Sequence, residues 1–214
     1  NTVTNGGQAV FAGGDMTCTT CTAKNQDAGN ATWAVQSRVT STIISSTLTN
    51  NTNGGCAGVL YGGYTGHFTV SNSTLSAPKS GCDTVSAALM SDNGNWSITN
   101  STIVAGTNGI AMRADAPNGT YAPHVILNGN TFKHSNQVGG ADGEAIYIDD
   151  GGGAGSTAAD VRLDSTTANT FCNVGTSTPW FTLVRLENVA KNGASTYTPA
   201  LQNSGAGETL PTCP

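Results

Sequence analysis

The sequence is poor in charge, in aromatic side chains and in helix-forming patterns. Charged residues account for 10% of the 214 positions and aromatic residues for 6%, whereas about a quarter of an average globular domain is charged. Eight basic residues stand against thirteen acidic ones, with no basic patch, which argues against nucleic acid as a partner. Apolar residues at the 3.6-residue period and helix caps are scarce, which argues against a helical fold.

Long apolar runs and a starting methionine are also missing. No apolar stretch approaches the roughly 20 residues of a membrane-spanning helix, so no membrane span is predicted. No signal peptide is evident and the chain begins with Asn1, as expected for a processed, mature product. Six cysteines form an even set, which predicts up to three disulfides and an oxidising compartment. Together these features predict a secreted, extracellular or cell-surface protein.

One pattern recurs at a nearly constant interval along the chain. It consists of alternating apolar residues, a small polar step, and then Thr before another apolar residue, at 43–48, 68–75, 96–103 and 125–132, with a degenerate copy at 16–23. Its threonines stand at 22, 47, 74, 102 and 131, spaced by 25, 27, 28 and 29 residues. A shorter apolar pattern runs in step with it, at 9–11, 33–35, 59–61, 88–90, 110–112 and 146–148. Periods in this range are typical of stacked repeat architectures.

Each repeat has room for two short strands and for turns rich in Gly, Asn, Ser and Thr, but not for a helix. Parallel stacking of successive coils then gives an all-β solenoid, a right-handed parallel β-helix, since crossovers between parallel strands are right-handed. With further coils at 161–164 and 184–187, six to seven coils form a column of roughly 30 Å at the usual strand spacing. The prediction is one domain over residues 1–214, with 1–7 as a terminal assembly strand and 191–214 as an irregular tail.

These patterns make residues 7–190 resemble the right-handed parallel β-helix superfamily, often called pectin-lyase-like. The polar residue after the second strand resembles the turn ladder of such proteins, where stacked side chains satisfy one another and the backbone. The candidate members are Ser46, Asn72, Asn100 and Asn128. The resemblance implies an architecture and no single activity, because the superfamily includes polysaccharide lyases, glycoside hydrolases, epimerases, phage tailspikes, adhesins and autotransporter passengers.

Alignment of the coils suggests one pairing of the six cysteines among the fifteen that are formally available. The predicted pairs are Cys56 with Cys82, Cys172 with Cys213, and Cys18 with Cys21. The spacing of Cys18 and Cys21 also occurs in redox motifs and zinc sites, but no second CxxC, His pair or thioredoxin-like pattern accompanies it. A structural disulfide is the favoured interpretation.

Six asparagines lie in Asn-x-Ser/Thr sequons, at positions 30, 50, 72, 95, 100 and 118. A residue buried in a turn ladder cannot carry a glycan, which removes Asn72 and Asn100 from the set. The predicted glycan sites are therefore Asn30, Asn50, Asn95 and Asn118.

Three basic residues are candidates for a groove that binds an anionic polysaccharide. Arg113, Lys133 and Arg162, if aligned on consecutive coils, would place positive charge along one face. The competing interpretation is that they are ordinary solubilising charges, one on each coil.

Acidic residues near a glycine run are the other candidate site. Glu144, Asp149 and Asp150 would be the general acid and base of a glycosidase, although neighbouring residues of a strand point to opposite faces. Asp142, Asp149 and Asp150 would be the oxygen ligands of a calcium ion. Plain turn chemistry is the favoured interpretation, and no cofactor other than calcium is predicted.

A structural or adhesive role explains these features with the fewest assumptions. A parallel solenoid exposes unpaired backbone groups at both ends, and such edges pair readily with another chain. The sequence therefore predicts end-to-end self-association, with extracellular glycans or polysaccharide as further partners. The competing hypothesis is a small carbohydrate-active enzyme, either a polysaccharide lyase or a glycoside hydrolase.

Overall fold

A computed structural model of the chain describes residues 2–3, 10–25, 33–37, 39–50, 58–62, 67–77, 87–91, 95–106, 108–113, 124–135, 144–149, 162–174, 182–187 and 213. All regular structure in these residues is β-strand. The strands are β1 (Thr2–Val3), β2 (Val10–Ala12), β3 (Met16–Thr19), β4 (Thr22–Asn25), β5 (Trp33–Ser37), β6 (Thr40–Ile44), β7 (Thr47–Asn50), β8 (Gly58–Gly62), β9 (His67–Ser71), β10 (Thr74–Ala77), β11 (Ala87–Ser91), β12 (Trp96–Thr99), β13 (Thr102–Ala105), β14 (Asn108–Arg113), β15 (His124–Asn128), β16 (Thr131–His134), β17 (Glu144–Asp149), β18 (Arg162–Asp164), β19 (Thr170–Asn173) and β20 (Thr182–Glu187).

The strands form three parallel sheets that the chain visits in a fixed order. The first sheet has the order β1-β4-β7-β10-β13-β16-β19, the second β2-β5-β8-β11-β14-β17-β20, and the third β18-β15-β12-β9-β6-β3. Each repeat adds one strand to the second sheet, then one to the third and one to the first. This arrangement is that of a β-solenoid, and it confirms the all-β class and the parallel stacking predicted from the sequence.

The prediction of two strands in each repeat is wrong, because the longer sequence pattern contains two strands rather than one. In the clearest example, β9 ends at Ser71 and β10 begins at Thr74. Between them Asn72 has a φ of 49°, a left-handed conformation that turns the chain sharply from the third sheet into the first. The equivalent residues, with φ between 47° and 63°, are Thr20, Ser45, Asn100 and Gly129. These five residues are named the turn ridge.

Equivalent side chains stack inside the column because neighbouring strands pair in register. The third sheet contributes a buried column of Ile43, Val70, Ile98 and Leu127. The first sheet contributes a buried column of Leu48, Leu75, Ile103, Phe132 and Phe171. Burial of one such side chain contributes about 1.5–3 kcal/mol, so the stacked columns are the main source of stability.

A buried polar column lies beside the turn ridge and is named the buried ladder. Its members are at most 6% exposed: Ser46, Ser73, Ser101, Asn130 and Asn169. Each side-chain oxygen accepts a hydrogen bond from a backbone N–H of the preceding repeat. The donors Cys21, Ser46, Ser73, Ser101 and Asn130 lie 3.0, 3.0, 3.2, 3.0 and 2.9 Å from their acceptors. The ladder therefore connects six successive turns by side chains as well as by backbone.

The ladder side chains also donate, so their own hydrogens are paired. Ser73 Oγ donates to the Ser71 carbonyl at 2.7 Å, and Ser101 Oγ donates to the Thr99 carbonyl at 2.8 Å. Asn130 Nδ2 donates to the Ile98 carbonyl at 2.8 Å and to Asn169 Oδ1 at 3.0 Å. Because unpaired polar groups are costly in a low-dielectric interior, this network fixes the conformation of each turn.

The predicted ladder members are right at Ser46 and wrong at Asn72, Asn100 and Asn128. Asn72 and Asn100 are exposed residues of the turn ridge, one position before the ladder. Asn128 ends β15, where its Oδ1 accepts a hydrogen bond from the Thr166 N–H at 2.7 Å. The sequence signal for the true members is a constant offset, since each directly precedes a Thr that begins a strand of the first sheet.

Gly129→Ala is expected to lower the free energy of unfolding by about 1–2 kcal/mol, the typical cost of a left-handed conformation for a residue with a Cβ. Gly129 has a φ of 63°, and a Cβ there would lie 2.7 Å from Asn100 Oδ1. Chemical denaturation of Gly129→Ala, Asn100→Ala and the double variant separates the backbone strain from the contact. We expect the sum of the two single-variant losses in unfolding free energy to exceed the loss in the double variant. A sum equal to the double-variant loss would contradict a contact between the added Cβ and Asn100.

Candidate functional site

The three basic residues of the predicted groove lie on three different sheets. Arg113 ends β14 in the second sheet, Lys133 lies in β16 in the first, and Arg162 begins β18 in the third. Each sheet forms a separate wall of the column, so these residues do not share a groove. The predicted alignment is wrong because the spacing of residues along the chain does not reveal which wall each one joins.

Two of the predicted acidic residues lie at opposite ends of one strand. Glu144 and Asp149 begin and end β17, so about 16 Å of extended backbone separates them. The register places Asp149 between Arg113 of β14 and Glu187 of β20. Asp150 lies outside the described residues.

The predicted calcium site is described at one position only. Asp149 belongs to β17, whereas Asp142 and Asp150 lie outside the described residues. Within the parts of the chain that the structure describes, no group of three or more His, Cys, Asp or Glu is placed to hold a metal ion. Calcium binding at Asp142, Asp149 and Asp150 stays a prediction from the sequence.

Two disulfides fasten the chain near the two ends of the column. Cys18 of β3 is bonded to Cys21, with 5.7 Å between the Cα atoms, and Cys172 of β19 is bonded to Cys213, with 4.9 Å between them. The Cys213 N–H also donates to the Asn173 carbonyl at 2.8 Å. Both bonds agree with the predicted pairing. The other predicted pair, Cys56 with Cys82, lies outside the described residues.

The structure contradicts the predicted glycan at Asn50. This side chain is 2% exposed, and its Nδ2, the atom that would carry the sugar, donates to the Gly58 carbonyl at 2.7 Å. Asn95 is exposed, so its position suits a glycan. The predicted sites Asn30 and Asn118 lie outside the described residues.

Two histidines and Asn95 fasten the beginnings of adjacent strands in the third sheet. The Asn95 N–H donates to His67 Nδ1 at 3.0 Å, and the His124 N–H donates to Asn95 Oδ1 at 2.9 Å. The first bond requires an unprotonated Nδ1 on His67. These contacts give the His67 ring, the Asn95 side chain and the His124 backbone a structural role where the strands of the third sheet begin.

The outward face of the first sheet carries a regular file of threonines. Register pairing aligns Thr22, Thr47, Thr74, Thr102, Thr131 and Thr170. All six are exposed or half-buried. Together with the adjacent turn ridge, this threonine file makes a neutral, hydroxyl-rich strip along the side of the column.

The outermost strands of the second and third sheets have a described partner on one side only. They are β2 and β20 in the second sheet, and β3 and β18 in the third. β2 and β3 contain no charge and no proline, although natural edge strands commonly use both to prevent pairing with another chain. In the first sheet, β1 pairs only with Lys24 and Asn25 of β4. The end of the column that contains β2 and β3 is therefore a candidate interface.

The described residues contain no helix that is long and apolar enough to cross a membrane. Comparison of the chain with protein-family models, with curated proteins and with solved structures finds no match.

Proposed function

We propose that the chain is a secreted structural protein, a right-handed β-solenoid of about six to seven stacked coils that associates end to end into an extracellular filament. The observation that carries this proposal is that the outermost strands of the second and third sheets, at both ends of the column, have a described partner on one side only. Two disulfides in a chain with few charged residues support the extracellular location.

The direction of the strands decides how two columns would meet. All described strand pairs are parallel, so one end presents the sides of β2 and β3 that have no described partner, and the other presents the corresponding sides of β18 and β20. Two different surfaces meeting head to tail form a heterologous contact, which builds a filament when the rotation does not close a ring. Thr2–Val3 pairs with β4 of its own chain, so the proposal uses the end of the column rather than a donated strand.

The carbohydrate-active enzyme remains the alternative that the resemblance suggests. A lyase needs clustered positive charge and a hydrolase needs paired carboxylates. Instead, the three basic residues belong to strands of three different sheets, and Glu144 and Asp149 begin and end β17. The edges at the ends therefore favour the structural role.

Thr17→Pro tests the proposed interface at a single backbone group. The Thr20 N–H donates to the Ile44 carbonyl of β6, and successive N–H groups of a strand alternate in direction, so the Thr17 N–H points away from the sheet. Proline there removes an outward donor and leaves the internal ladder of β3 intact. We expect electron microscopy and sedimentation to show filaments of the unaltered protein and mostly monomers of Thr17→Pro.

Thr17→Val is the matched control, because it keeps the backbone donor and should still assemble. Thr17→Lys is the second edge variant, in which a charge replaces the exposed hydroxyl, and circular dichroism checks that each variant is folded. A folded, unaltered protein that stays monomeric at high concentration would overturn the proposal. Filaments of Thr17→Pro and Thr17→Lys that equal those of Thr17→Val in length would overturn it as well.

A further inference from the structure

Two sequons coincide with the sharp turn between the third and first sheets. They are Asn72-Ser73-Thr74 and Asn100-Ser101-Thr102. In each one, the Asn belongs to the turn ridge, the Ser to the buried ladder and the Thr to the threonine file. The local fold thus gives the three sequon positions an exposed, a buried and an outward-facing residue in that order.

The acceptor side chains are exposed and unbound. Asn72 and Asn100 are both exposed, and no described residue forms a hydrogen bond with either carboxamide. Asn50 is the internal contrast, since it has the same sequon chemistry but a buried Nδ2 that donates to Gly58. The chain therefore contains both accessible sequon asparagines, Asn72 and Asn100, and an inaccessible one, Asn50.

The backbone of the turn does not depend on these two carboxamides. The Asn72 N–H donates to the Thr99 carbonyl at 3.1 Å, and the Asn100 N–H donates to the Asn128 carbonyl at 2.9 Å. The adjacent ladder serine, not the asparagine, satisfies the buried N–H of the neighbouring turn. A sugar on Nδ2 would consequently break no described hydrogen bond.

On the turn ridge, each of these asparagines has the other as one neighbour and a small residue as its second neighbour. Ser45 precedes Asn72 in the stack and Gly129 follows Asn100. Asn100 Oδ1 lies over Gly129, only 2.7 Å from where a Cβ would stand, so glycine leaves space for that side chain. From this combination of sequon, exposure, backbone independence and space, we propose that Asn72 and Asn100 carry N-linked glycans.

This inference rests on the secreted location in the proposed function and adds a chemical reason for end-to-end association. Asn72 follows β9 and Asn100 follows β12, and each of these strands lies two strands in from an outermost strand of the third sheet, β3 or β18. N-linked glycans are bulky and solubilising. Sugars on Asn72 and Asn100 cover the side wall, while the two ends stay bare.

The test removes each sequon without altering its asparagine. Thr74→Val and Thr102→Val lose the hydroxyl that the sequon requires but keep the β-branched shape of an outward-facing strand residue. Thr47→Val is the matched control, because Thr47 belongs to the same threonine file and Ser45 stands in place of a sequon asparagine. Each variant and the unaltered chain are secreted from a eukaryotic host and digested for peptide mass spectrometry before and after enzymatic removal of N-glycans.

We expect Thr74→Val and Thr102→Val each to lose one glycan, the double variant to lose both, and Thr47→Val to lose none. The peptide that contains Asn50 should be unmodified in all of them. Unmodified Asn72 and Asn100 in the secreted, unaltered chain would overturn the inference, and so would equal occupancy of Asn50 and Asn72, because exposure would then not decide the site.

The outcome is separable from that of the proposed function. Protein produced in bacteria lacks these glycans, so its assembly under the electron microscope reports on the edges of the column alone. Filaments from a chain that is never modified in the eukaryotic host would refute the glycan sites only. Glycans on Asn72 and Asn100 of a protein that stays monomeric would refute the filament only.

Discussion

Trp96→Ala is expected to lower the free energy of unfolding by about 3–5 kcal/mol, the usual cost of truncating a large buried aromatic side chain. Trp96 is 1% exposed and its ring centroid lies 5.0 Å from that of Phe68. The register places it between Phe68 of β9 and Val125 of β15. The cavity would therefore open in the middle of the stack, where strands on both sides hold the backbone in place and limit its collapse.

Urea denaturation followed by circular dichroism measures this loss in unglycosylated protein. Thr69→Ala is the matched control, because Thr69 is exposed on the adjacent strand and points away from the core. Its effect should stay within about 0.5 kcal/mol, as for most surface substitutions. A loss below about 1 kcal/mol for Trp96→Ala would contradict the close packing of this column.

Asn130→Ala is expected to cost about 3 kcal/mol, because it leaves several buried polar groups without partners at about 1–3 kcal/mol each. Asn130 Oδ1 accepts from the Ser101 N–H at 3.0 Å. Its Nδ2 donates to the Ile98 carbonyl at 2.8 Å and to Asn169 Oδ1 at 3.0 Å. Alanine provides neither the acceptor nor the donors, so the defect reaches both neighbouring turns.

Asn130→Ser distinguishes the ladder from general packing. Serine already holds the equivalent positions 46, 73 and 101, where its hydroxyl accepts the N–H of the preceding repeat. We expect Asn130→Ser to recover about half of the alanine loss, because it restores an acceptor for Ser101. Denaturation curves in which the alanine and serine variants coincide would show that the hydrogen bond contributes little.

The stacked fold is predictable because register imposes a period on the sequence. In-register parallel strands bring the same position of each repeat into one column, so Leu48, Leu75 and Ile103 recur with their preceding threonines. The division into three strands is less visible. Ser71 to Thr74 reads as a continuous polar step, and only the left-handed φ of Asn72 separates two sheets within it.

The candidate sites are harder to predict for a related reason. Membership of a wall depends on how many residues each connection contains, and these numbers vary between repeats. Arg113, Lys133 and Arg162 therefore look aligned in the sequence but belong to three sheets. The exposure of Asn72 and the burial of Ser73 likewise depend on a shift of one residue around the turn.

The buried ladder has a direction, and this matters while the chain is being synthesised. Every rung donates its N–H to the side chain of the next rung towards the C-terminus, from Cys21 through Ser46 and onward to Asn169. During synthesis, the last ladder N–H of the column already formed therefore waits for the side-chain acceptor of the repeat that is translated next. Each newly translated repeat completes the one before it, so growth from the N-terminus is self-templating. Loss of C-terminal repeats would leave a ladder N–H without its side-chain acceptor, whereas loss of N-terminal repeats would leave a ladder side chain without the N–H that it accepts.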